Sequence, residues 1–298
     1  MKMRALLASV LGLCAWACVN IHADQAHAAL PYAGICQRAT NEFAEACFFK
    51  PAEAKTNDLA FTLAPLILQE VNGAPEPLFR PDRFGTLSLS NGLLALDRSR
   101  PAIYWQADTV RLKGKEHVRF AYVWCYALGA SGQGESALAL QGIRITLNSA
   151  GQPVIWEVLA DSSGAELIFV SQSLEAAALA EFGKALPTRR YAIERSVEEA
   201  PNVVVARVID DGPVAMGPFV YLSADTRTVS TLICRCMPAQ AKKLLATSAY
   251  DLLPFPATAA QPLLTQAKVL VREPTAFWPG DQQRDVRLEH CLRLPPAL

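Results

Sequence analysis

Val118, Phe120, Tyr122 and Trp124 stand on alternate positions in this chain. A period of two held over that length puts all four bulky side chains on one face of an extended strand, which must then be covered by a core. The fold is therefore built around sheet. Neighbouring segments extend the pattern. Thr86 to Ser90 alternates, Asn91-Gly92 follows, and Leu94 and Leu96 resume. Asn-Gly between apolar runs is the strongest short hairpin signal, because both residues accept positive φ. Ile103-Tyr104-Trp105 and Val110-Arg111-Leu112 read as strand up to Lys113-Gly114. The stretch from Gly129 to Gly134, with its small residues, reads as a loop.

Two later stretches share an outline. The first has strands at Ile143 to Leu147, Val154 to Leu159 and Glu166 to Val170, then a helix from Leu174 to Phe182. That helix is expected to have Ser173 as N-cap, Glu175 in its first turn and Gly183 as its stop. The second has strands at Asn202 to Ile209, Phe219 to Leu222 and Val229 to Cys236, then a helix from Pro238 to about Ala246. Proline suits a first helical position. No residue-level repeat accompanies the shared outline. The proline-rich tail holds two more strand-like runs, Ala267 to Val271 and Val286 to Leu292. The expected fold class is α+β: mainly antiparallel sheet with a few short helices, in one domain over residues 29–298. Two ββ(β)α-like halves would meet near residues 184 to 200.

The N-terminus carries Lys2 and Arg4, an apolar stretch from Ala5 to Val19, then a polar segment ending Ala26-His27-Ala28. This is the charged, apolar and small-residue order of a secretory signal, with cleavage expected after Ala28. The apolar run is roughly 15 residues, short of the roughly 20 that a helix needs to span a bilayer. Residues 1–28 are thus expected to be removed, and the rest to be periplasmic or extracellular with no integral membrane span. Lys+Arg and Asp+Glu both number 28. Without a concentrated basic excess, no nucleic-acid partner is expected. Hydrophobic residues are 51% of the chain and charged residues 19%, enough apolar mass for a packed core.

Of eight cysteines, Cys14 and Cys18 leave with the leader. Cys36, Cys47, Cys125, Cys234, Cys236 and Cys291 remain, and in an oxidising destination they are candidates for disulfides. If residues 36–49 were helical, Cys36 and Cys47 would lie about 16 Å apart, beyond the roughly 7 Å that a disulfide spans. A loop would let them close on each other, and the weak helix signals favour the loop. Cys234 and Cys236, two apart in a strand, would share a face and be unable to bond each other. At least one is then expected to join Cys125 or Cys291, a long-loop closure contributing roughly 3 to 5 kcal/mol. The alternative is a small Cys/His metal site drawn from Cys125, Cys234, Cys236, His290 and Cys291. A third reading is thiol redox chemistry at Cys236, if a helix begins after it.

Other chemistry finds less support. Gly129-Ala130-Ser131-Gly132-Gln133 fails the nucleophile-elbow pattern at its fifth position. After cleavage, only His117 and His290 could serve as histidine bases, and no phosphate loop or dinucleotide fingerprint is present. Carboxylates near Asp210-Asp211 and near Glu157 and Asp161 offer a hydrolase route. The turn before Gly212-Pro213 explains the aspartates more simply. The expected function is an exported, disulfide-stabilised, non-enzymatic protein that binds or supports an envelope or extracellular component. No cofactor is expected, and the alternative is a secreted carboxylate hydrolase.

Overall fold

The computed structural model describes residues 31–38, 42–52, 58–71, 84–90, 93–128, 137–159, 165–199, 201–224, 227–236, 241–255, 282–296 and 298. The expected leader, the turn expected at Asn91-Gly92, the loop expected over 129–134, Asp161 and the run Ala267 to Val271 lie outside these residues.

The aromatic alternation builds the long strand β6 (Lys115–Leu128), which pairs antiparallel with β5 (Ala102–Leu112). Leu112 opposes Lys115, leaving Lys113 and Gly114 as a two-residue turn with φ of 50° and 77°. Positive φ at both positions is the turn that matches strand twist. Phe120, Tyr122, Trp124 and Tyr126 all enter the main core, as their spacing requires. Antiparallel pairing continues through β7 (Ala137–Leu147), β8 (Pro153–Val158) and β9 (Glu166–Ser171). Helix α3 (Gln172–Phe182) then carries the chain over to β10 (Val203–Ile209), which lies parallel to β9. A parallel neighbour needs such a crossover.

The helix begins earlier than its sequence suggests. Ser171, not Ser173, is the N-cap, its hydroxyl accepting from the Leu174 N–H at 3.2 Å. Ser173 instead donates its backbone N–H and its hydroxyl to the two Asp211 carboxylate oxygens, at 2.9 and 2.8 Å. Gly183 ends the helix as expected, with φ of 73°.

Near the N-terminus lie α1 (Tyr32–Arg38), β1 (Phe43–Pro51), the one-turn helix α2 (Leu59–Thr62) and β2 (Leu66–Glu70). Cys36 therefore sits on a helix and Cys47 on a strand, replacing the loop expected between them. Strands β3 (Thr86–Ser90) and β4 (Leu93–Asp97) pair antiparallel as a separate hairpin, with Ser90 opposite Leu93 across a two-residue gap.

The second repeat of three strands and a helix does not form. Strand β11 (Phe219–Leu222) pairs with β12 (Val229–Ile233) and, in parallel, with β2, while β10 lies at the other end of the sheet. The expected helix from Pro238 gives way to β13 (Ala241–Pro254), a 14-residue strand. It runs parallel to β1 from Ala241 to Tyr250 and parallel to β5 from Asp251 to Pro254. The β1 ladder overrides the helical preference of Ala241-Lys242-Lys243-Leu244-Leu245-Ala246, and the β5 ladder holds the far end of the strand. The strand-like run from Val286 belongs to helix α4 (Gln282–Cys291). Arg284, Leu288 and Leu292 recur every four residues and are buried, whereas Val286 is 65% exposed.

The strands form one 11-stranded sheet in the order β10-β9-β8-β7-β6-β5-β13-β1-β2-β11-β12, with β10 and β12 approaching each other so that the sheet is nearly closed into a barrel. The expectation of α+β with mainly antiparallel sheet holds in part: the fold is mostly β, and antiparallel pairings outnumber parallel ones in a mixed sheet. The parallel pairings are β9–β10, β5–β13, β13–β1 and β2–β11. Inside the curve lie Tyr122, Trp124, Tyr126, Phe49, Phe84, Phe169 and Tyr250, with Ile35 of α1 and Leu63 just past α2. Outside β5 to β10, a second apolar layer joins Leu112, Ile155, Ile168 and Val205 to Leu174 of α3 and to Leu288 and Leu292.

Candidate functional site

The outer face of this half of the sheet carries charge that is shut away from water. On β6 and β7 the residues alternating with the interior aromatics and isoleucines include Arg119 and Arg144, whose side chains are 1% and 0% exposed. Arg144 is paired across the ladder with Glu157 of β8, also 0% exposed, and Nη2 donates to its Oε1. Arg119 holds Asp108 of β5 through two hydrogen bonds, of 2.9 and 2.7 Å. Helix α4 lays its own charges onto these. Asp285 takes Arg119 Nη1 at 2.5 Å and lies 3.4 Å from Arg144 Nη2. Arg284 donates Nη2 to the Val158 carbonyl at 2.5 Å and Nη1 to that of Leu159 at 3.2 Å. Its Nε–H is directed to Glu157 Oε1 at 3.3 Å. The 2.8 Å approach of the same nitrogen to Glu166 Oε1 is therefore an electrostatic contact rather than a second hydrogen bond. Arg287 lies 3.7 Å from Glu166 Oε2.

Four guanidiniums, of Arg119, Arg144, Arg284 and Arg287, thus face four carboxyls, of Asp108, Glu157, Glu166 and Asp285. Buried charges persist only when paired, and the helix supplies the partners that the sheet lacks. None of this was legible in the strand reading of Val286 to Leu292. The usable signal was the four-residue spacing of Arg284, Leu288 and Leu292, flanked by charge.

The two buried glutamates respond oppositely to this setting. For Glu157, burial works to raise the pKa, but the Arg144 and Arg284 charges and the Arg144 hydrogen bond outweigh it, so its carboxyl stays well below the usual range. Glu166 is raised, first by burial and then by the negative charge of Glu157, against the pull of Arg284. Chemically, the pair can keep a proton on Glu166 beside an ionised Glu157. Both sit under α4 with Glu157 unexposed, so the arrangement fastens the helix rather than presenting an acid and a base to a substrate.

A pH dependence follows. Between the ordinary carboxylate value and the raised value of Glu166, the folded chain binds more protons than the unfolded one, so stability falls as pH rises through that window. Glu157 acts in the opposite sense: its contribution is present above the ordinary carboxylate range and is lost as pH falls through its lowered value. Glu166→Gln removes the first loss. The melting temperature of that variant is expected to gain on the wild type as pH is raised from about 5 to about 8. A difference that stays constant over the range, measured by circular dichroism, would refute the raised value.

The carboxylates considered for hydrolysis are not brought together. Glu157 is spent on Arg144 and Arg284, Asp211 is bonded to Ser173 of α3, and Asp210 is exposed in the loop after β10. His117 is buried on β6, with Nδ1 3.1 Å from the Leu147 carbonyl oxygen. His290 lies exposed in the last turn of α4.

The cysteines depart furthest from expectation. Strand β12 ends at Ile233, so residues 234–236 form a turn and the rule that forbids a bond between strand neighbours two apart does not apply. The Cys234 and Cys236 sulfurs are in contact, with Cα atoms 5.2 Å apart. Among the described residues, Cys36, Cys125 and Cys291 form no disulfide, so neither Cys125 nor Cys291 joins the turn. Closing a three-residue loop removes little chain entropy, roughly 1.6 kcal/mol against roughly 4.7 for a hundred residues. The stabilising long-range staple is absent from this set. Burial raises the Cys125 thiol, and burial followed by the Glu166 and Glu198 charges raises that of Cys291. No group of three or more His, Cys, Asp or Glu able to hold an ion occurs among the described residues, and Cys125, Cys234, Cys236, His290 and Cys291 are not brought together there.

No protein-family profile, no curated protein and no solved structure matches this chain.

Proposed function

We propose that this chain is an exported globular protein that binds or supports another component of the envelope or extracellular space, without catalytic turnover. The observation that carries the reading is the order of Lys2, Arg4, the apolar run to Val19 and Ala26-His27-Ala28. The fate of the carboxylates supports the second half, since Glu157 and Asp211 are committed to Arg144 and Ser173 respectively. Removal after Ala28 would also leave α1 whole. Tyr32 donates its hydroxyl to Glu194 Oε2 at 2.9 Å and its N–H to the Glu199 carbonyl at 3.2 Å. No helix among the described residues is long and apolar enough to cross a membrane.

The test is made on protein recovered from its own cells after fractionation. Mass spectrometry is expected to find Ala29 as the first residue in the non-cytoplasmic fraction. An intact Met1 on soluble cytoplasmic protein would overturn export. Hydrolysis of glycosidic substrates that disappears in Asp210→Asn would overturn the non-catalytic half.

A further inference from the structure

We propose that Cys234 and Cys236 form a redox-active pair that exchanges with small thiols, Cys236 being the sulfur attacked. This goes beyond export and binding, and it rests on the turn itself. The two sulfurs are in contact but differ in access: Cys234 is 6% exposed and packs in the main core, while Cys236 lies on the surface. Only one end of the pair can therefore be reached by a nucleophile. The buried sulfur is also equipped to leave, because the Cys236 backbone N–H donates to Cys234 Sγ at 3.1 Å. A hydrogen bond to the sulfur favours its thiolate.

The residue between them holds the turn in place. Arg235 directs its guanidinium inward, where Nη2 donates to the Ala64 carbonyl in the segment joining α2 to β2. Tyr122 and Tyr250 fasten α2 and the same segment from the sheet, donating to the carbonyls of Ala60 in α2 and of Pro65, each at 2.7 Å. The backbone carrying the two sulfurs is thus anchored independently of any bond between them. Reduction leaves the thiols close enough to close again. A short loop adds little entropy to the closed state, so the closed form is not locked in place.

The step balances with a small thiol as co-reactant. A thiolate RS⁻ attacks Cys236 Sγ, forming the mixed disulfide RS–S and expelling the Cys234 thiolate, which takes a proton. A second RS⁻ attacks the R-bearing sulfur, releases RSSR and leaves the Cys236 thiolate to be protonated. The pair gains two electrons and the two thiols lose them. The reverse sequence oxidises the dithiol.

Glutathione is the probe, applied to the folded, exported protein. After equilibration in mixtures of reduced and oxidised glutathione, acid quenching and alkylation, the peptide carrying residues 234–236 is expected to pass from dithiol to closed form within the mixtures used. Cys234→Ser is expected to accumulate glutathione on Cys236, while Cys236→Ser leaves Cys234 at least tenfold less modified until denaturant is added. A pair that stays dithiol in fully oxidised glutathione would overturn the proposal. So would one that stays closed in fully reduced glutathione, or equal glutathionylation of the two variants in the folded state. None of these outcomes depends on the site of leader cleavage.

Discussion

Arg144→Leu is expected to destabilise the fold by about 3 to 5 kcal/mol, the usual result of removing one partner from a buried ion pair. Glu157 would keep Arg284 but lose its Arg144 partner, and Asp285 would lose a neighbour at 3.4 Å. Glu157 would be left ionised with one cationic partner fewer, in a place that water does not reach. In a protein of this size the melting temperature should drop by about 10 °C. The paired substitution Arg144→Leu with Glu157→Leu removes one buried charge of each sign, so the net charge of the cluster is that of the wild type. It is therefore expected to recover at least half of the loss, because a buried pair can be replaced by apolar groups at little net change. Urea denaturation of the wild type, both singles and the double closes the cycle. A single mutant within about 0.5 kcal/mol of wild type would show that water screens the cluster.

Trp124→Ala should be comparably severe, at about 3 to 5 kcal/mol, through the cavity it opens at the centre of the curved sheet. Trp124 is fully buried on β6 among the residues that all the long strands direct inward. Trp124→Phe separates packing from polarity. The indole Nε1 is buried without a hydrogen-bond partner among the described residues, so the ring alone is what the core uses. The phenylalanine variant is expected to lose less than half as much as the alanine variant, as judged by urea midpoint at an unchanged m-value. Equal losses would mean that the indole N–H, rather than ring volume, is what matters there.

Much of the local structure could be read from residues close together in the chain. Alternation from Phe120 to Trp124 specified which face of β6 is inside, although Val118 in the same series is 45% exposed, and Gly183 marked where α3 must stop. Ser173 was misassigned as the cap for an instructive reason. Two serines stand near the start of α3, and the choice of Ser171 goes with the bonding of Ser173 to Asp211, 38 residues later.

What the sequence by itself determined is therefore the set of strands whose period and bounding turns are local: β5 and β6, the β3–β4 pair, and the run from β7 through α3. Those signals come from side-chain alternation, turn conformations and caps, all of which act over a few residues. Tertiary structure alone decided the rest. Strand β13 carries a helix-prone start, and that start is extended because β1 pairs with it from nearly 200 residues away, while β5, nearly 150 residues away, pairs with the last four residues. Helix α4 looked like a strand by its apolar count, and it is a helix because Arg284, Asp285 and Leu288 must meet Glu157, Arg119 and the outer apolar layer together. The contact of Cys234 with Cys236 depends on where β12 ends, which is set by its pairing with β11 rather than by the spacing of the cysteines. Parallel ladders and buried charge balance are properties of partners distant in the chain, and no window of neighbouring residues contains them.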